Sequence, residues 1–209
     1  MPFFFKSFSM KLRRLDRSKE SGSMKISDQH PSGFGVKEQE LVHSLLALPQ
    51  KIIRHHDVPG LAQLVLHELG HDGIFHLKKA VYLADNPDFD HLLGVAGFAQ
   101  DECHLHEGDI WGDPCRAAEL MANSSYNKNI QNFLRGSFKA KGIDFHDKSE
   151  IENLGREMGL VQPQFLAWDM KHGNHGLLLF EHDDPTAFNI LKHKMLSSAA
   201  ALLSLCPIF

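Results

Sequence analysis

Residues 60–71 constrain this chain more than any other stretch. They are apolar almost all round, with Ala62, Leu64, Val65, Leu66 and Leu69, and polar groups enter only at Gln63, His67, Glu68 and His71. Asp57 and Pro59 supply a helix start, and Gly73 supplies a stop. A helix without a polar face cannot lie on a surface, so the spacing predicts a buried helix near residues 60–72 with the rest of the fold wrapped around it.

The remaining elements are read from periodicity and punctuation. Leu41, Leu45, Leu48 and Ile52 recur at helical spacing over residues 37–56, with Pro49 marking a kink or break. A second helix is expected from Phe75 to Ala84, closing at Asn86-Pro87, and a third from Asp88 or Asp90 to about His106. Ala80 to Leu83 and Leu92 to Val95 are short apolar runs in which periodicity separates helix from strand poorly. Shorter helices are expected at residues 115–121 and 149–158, the latter ending at Gly159, and a terminal one at residues 186–205. Residues 165–170 and 177–180 flank a polar Gly-containing connection and read as a small hairpin. The expected fold class is therefore mainly α, with α+β as the alternative: a helical domain with a buried active-site helix and a minor β-hairpin.

Residues 1–20 are basic and serine-containing, and residues 21–35 read as a Ser/Gly/Pro linker, so the expected division is a leader with linker over 1–35 and one helical domain over 36–209. No apolar run reaches the about 20 residues a membrane helix needs, so no integral membrane segment is expected. A cytoplasmic setting is expected, with export or organelle targeting left open by the leader. The formal charge of −4 gives no global positive field for nucleic acid. Cys103, Cys115 and Cys206 match no zinc-knuckle spacing and are expected to be reduced, with a Cys103–Cys115 bridge as the alternative. Histidine is the outlying count, 15 in 209 residues, about three times average usage, which points to metal or pH chemistry.

His67-Glu68-Leu69-Gly70-His71 fits HExxH inside the apolar helix. Residues four apart sit one turn above each other, so both imidazoles can reach one tetrahedral zinc. Glu68 can then meet a metal-bound water whose pKa zinc lowers toward about 7, and take its proton as it attacks a carbonyl. Over residues 61–73 the chain resembles the zincin metallopeptidases. The resemblance implies a zinc-dependent hydrolase acting on a peptide or protein substrate, with one zinc ion as cofactor, Glu68 as catalytic base, and His67, His71 and a third residue as metal ligands. His76 and Gly73 each fall one residue short of the metzincin pattern. A gluzincin-like arrangement instead takes a later glutamate, for which Glu102 is the best candidate and His104, His106 or Glu107 the substitutes. One of His172, His175 and His182 could approach a substrate oxyanion near the hairpin.

Other classes compete. His71-Asp72 spells the dyad of HD-type phosphohydrolases, for which His43 and Asp109 could complete a site. A ferritin-like di-iron centre needs two Glu-x-x-His helices, and only Glu68 to His71 fits. The non-enzymatic reading is a helical metal-binding or interaction module whose histidines are structural or incidental. No Walker A loop, dinucleotide fingerprint or GxSxG elbow occurs.

Overall fold

The computed structural model describes residues 36–70, 74–102, 109–144, 147–182 and 188–208. The chain divides into two units, Met1–Gly33 and Phe34–Phe209, and only the second contains described residues. His71, Asp72, Gly73, Cys103, His104, His106, Glu107 and His146, like the basic leader and linker, lie outside the described residues.

Six helices and five strands are described: α1 (Val36–Arg54), α2 (Leu61–Gly70), β1 (Leu77–Asn86), β2 (His91–Ala99), α3 (Pro114–Ala122), α4 (Ser125–Gln131), β3 (Leu134–Arg135), α5 (Lys148–Glu157), β4 (Gln164–Asp169), β5 (His175–His182) and α6 (Ile190–Ala200). The strands form one sheet in the order β3-β2-β1-β5-β4, with every neighbouring pair antiparallel. Among the described residues no helix is long and apolar enough to cross a membrane.

The expected mainly-α fold is thereby corrected to α+β. The segment expected as a second helix is β1, and most of the expected third helix is β2. The cause is burial on both faces: β1 is buried from Ala80 to Ala84 without interruption, and a strand packed on both sides loses the alternation that would distinguish it from a buried helix. Asn86-Pro87 is a hairpin turn, not a helix stop. The Asn86 side chain accepts hydrogen bonds from the Asp88 and Phe89 amides, and Asp90 takes a left-handed conformation at φ 50°. Gly94 and Gly97 in β2 also have a packing cause. A Cβ at Gly94 would run into the backbone carbonyl of Ile130 in α4, and one at Gly97 would meet the Ile130 side chain.

Layers cover both sheet faces. On one, Ala80, Tyr82, Phe98, Leu178 and Phe180 pack with α1, α2 and α6. On the other, Val81, Leu83, Leu177 and Leu179 pack with Ile130 of α4 and with Ile151 and Leu154 of α5. Every residue of α2 except Glu68 is buried. The β4–β5 hairpin pairs Gln164 with Phe180 through to Asp169 with His175, so the expected hairpin forms one edge of a larger sheet.

Candidate functional site

Helix α2 is seated on β2 through its His67 side. His67 is 4% exposed, and its ring meets that of Phe98 edge-on, with centroids 5.6 Å apart and planes at 90°. Gly70, three residues on and on the same helix face, is approached so closely by the Phe98 ring that a Cβ would overlap it. The glycine of the HExxH stretch therefore lets the helix descend onto the sheet.

Glu68 faces a different neighbourhood. Its Oε1 accepts a hydrogen bond from Lys51 Nζ of α1 at 2.9 Å, and its Oε2 accepts one from the Trp111 indole at 3.1 Å. Its side chain is 16% exposed and that of Lys51 29%. The Lys51 ammonium also lies 5.4 Å from the Trp111 ring centroid, where a cation is attracted by the ring face. Trp111 is held in turn by Asp109, whose carboxylate accepts from its amide at 3.0 Å, and His55 lies beside the indole at 5.9 Å between centroids. The carboxylate of Glu68 ties α1, α2 and the turn before α3 together.

Glu102 stands in a 3-10 turn over Gln100–Glu102, after β2 rather than at a helix end. Its carboxylate accepts from Ser124 Oγ and Ser125 Oγ, both at 2.6 Å, and from the Tyr126 amide at 2.9 Å. These donors sit at the start of α4, where free amides favour an anion. The two hydroxyls and the amide push its carboxyl from 4.5 down to about 2. A depressed acid stabilises the fold above its unfolded-state value, and that contribution disappears as pH falls through the folded-state value. Wild type should therefore lose its stability advantage over Glu102→Gln between about pH 4.5 and pH 2, as urea midpoints across that range would record. At pH 7, Glu102→Ala should cost about 1 kcal/mol, the usual net loss when a hydrogen-bonded acceptor is removed from donors that water can still reach.

Among the described residues, the other histidines and acids singled out from the sequence do not gather into one group of three. His43 is exposed on α1, Asp109 serves Trp111, and His172 is exposed with φ 60°. His175 and His182 occupy opposite ends of β5, roughly 23 Å apart at strand rise. His175 Nε2 lies 3.3 Å from Asp169 and 3.4 Å from Lys139 Nζ. His182 is buried against Phe188, with centroids 3.8 Å apart, and burial holds its imidazole below the ordinary value. Among the described residues, no group of three His, Cys, Asp or Glu side chains comes together that could hold a metal ion.

Three partners are not legible in the sequence. Lys51 and Trp111 are 17 and 43 residues from Glu68, and no local pattern links them. Asp85 is fully buried at the end of β1, where it accepts from Ser137 Oγ at 3.1 Å and from the Phe138 amide at 3.0 Å, anchoring the turn after β3.

No family model matches the sequence, and no solved structure matches it. A stretch of 131 residues is 27% identical to the phenylalanine–tRNA ligase beta subunit of Protochlamydia amoebophila, covering 62% of this chain and 13% of that protein. The chain thus spans a small part of the length of the curated relative it matches.

Proposed function

We propose that this chain is a non-catalytic α+β interaction module in which the HExxH residues His67, Glu68 and Gly70 serve packing. One observation carries the reading: both carboxylate oxygens of Glu68 are bound within the fold, by Lys51 and by Trp111. A general base must present its carboxylate to the reacting water, and here that would mean breaking a cross-link between three segments. Glu102 is engaged likewise by three donors at the start of α4, which supports a packing role for both of these carboxylates; His71 and the alternative ligands His104, His106 and Glu107 lie outside the described residues. The match to 13% of a long protein supports a unit that recurs as a small part of a larger chain. A role on tRNA is not carried over from that relative, since the charge of −4 offers no general attraction to a polyanion.

A zinc-dependent peptidase is the second reading, favoured by one feature: α2 packs across an antiparallel sheet, and zincins carry a sheet beside their active helix. Metal analysis paired with turnover of a mixed peptide library separates the two. The module reading expects substoichiometric zinc and no hydrolysis, with wild type and Glu68→Gln alike. Stoichiometric zinc that is lost in His67→Ala, together with turnover abolished by Glu68→Gln, would establish the peptidase instead.

A further inference from the structure

Helix α6 is anchored in the core at one end only. Its buried residues are Leu196, Ala199 and Ala200, all in its second half. In the first half Ile190, Leu191, His193 and Lys194 are exposed. Over residues 188–194 it is Phe188 that packs against the core. Its ring lies on that of His182, with centroids 3.8 Å apart and planes at 35°, and stands 6.1 Å from the Phe180 ring and 6.4 Å from the Phe75 ring. A stretch with so little buried surface opens at a smaller cost than the elements around it.

His182 brings a titratable ring into this aromatic cluster. It is 7% exposed, the ring bonds the backbone of His76 and Phe75, and Nε2 is buried without a hydrogen-bond partner among the described residues. A neutral imidazole tolerates that, because one of its nitrogens carries no proton. Protonation places an N–H on both, and the one on Nε2 would sit between the Phe180 and Phe188 rings without an acceptor.

The surrounding charges do not offset this. Lys192 and His193 of α6 face the ring, and both repel its charged form. From the start of β1 come the backbone of His76 and Phe75, whose hydrogen bonds favour the charged ring but oppose only in part the larger effect of burial. On β5 itself Glu181 points to the opposite face, where it binds Lys78 and the Val161 amide. Asp183 and Asp184 lie outside the described residues.

We propose that His182 is an acid-released latch: neutral, it holds Phe188 and the first half of α6 on the sheet, and protonated it lets them go, uncovering Phe75 and Phe180. A ring kept neutral when docked, and ordinary when released, supports docking above the released value of about 6.5. That support is lost as pH falls below this value. The second half of α6 keeps its core contacts through Leu196, Ala199 and Ala200, so the opening is confined to its start.

The test is hydrogen exchange of the full chain at pH 7.5 and 5.5, corrected for the intrinsic pH dependence of exchange. Residues 188–194 should lose protection at pH 5.5 by several-fold, up to the about tenfold that one unit below the released value allows, while β1 stays protected. His182→Gln and His182→Phe should each make protection of 188–194 independent of pH over this range, and His193→Ala should leave the acid response in place. An NMR titration of the wild-type His182 ring needs no variant and should place its value below about 6.5. The proposal is overturned by a wild type whose 188–194 protection is the same at both pH values, or by a loss that β1 shares. It is equally overturned by a loss that persists in both His182 variants or vanishes in His193→Ala, or by a His182 ring that titrates at or above about 6.5.

Discussion

Gly70→Ala should destabilise the protein, and Gly70→Val should destabilise it by about 3 kcal/mol or more, the upper range for overpacking a filled site. The sign is informative because in an ordinary helix the first change would stabilise by about 1 kcal/mol. Here any Cβ would overlap the Phe98 ring, and that ring is buried and already set edge-on against His67. Relief requires either the buried Phe98 ring to leave its place against His67 or α2 to lift from β2, which would loosen a helix buried at every position but Glu68. Urea unfolding of wild type and both variants measures the effect directly. A Gly70→Ala protein more stable than wild type would mean that the glycine is not there for close packing.

Periodicity reveals those elements that present one face to the core or end at strong punctuation. The apolar run over residues 60–72 predicts a buried helix, and α2 is one. Helix α5 begins at an Asp147 cap and stops before Gly159, whose φ of 79° favours glycine. Strand β1 is hidden because burial on both sides erases the alternation of a strand, and β2, whose burial does alternate, because apolar residues and glycines occupy both of its faces and Gly94 and Gly97 read as weak points of a helix rather than as contacts with α4. The site is legible to the same extent. The helical spacing of the HExxH residues is a local property, whereas the engagement of Glu68 by Trp111 and of Glu102 by the start of α4 depends on contacts 22 to 43 residues distant.

Glu68→Ala should cost about 2 kcal/mol, more than loss of an exposed ion pair, because it also leaves the indole N–H of buried Trp111 without its acceptor. The Lys51 pair contributes the smaller share, since both side chains keep some contact with water. Glu68→Gln should cost less, because an amide oxygen can still accept one of the two hydrogen bonds. Trp111→Phe should destabilise through the same contact and through lost packing, so the two changes should not add.

The double-mutant cycle of Glu68→Ala and Trp111→Phe, read from urea midpoints at neutral pH, tests most directly whether Glu68 is a cross-link of the fold. A coupling energy of about 1 kcal/mol is the result expected for a carboxylate spent on the indole. Coupling indistinguishable from zero, with Glu68→Ala as stable as wild type, would contradict the structural role and return the carboxylate to the chemistry that its motif suggests.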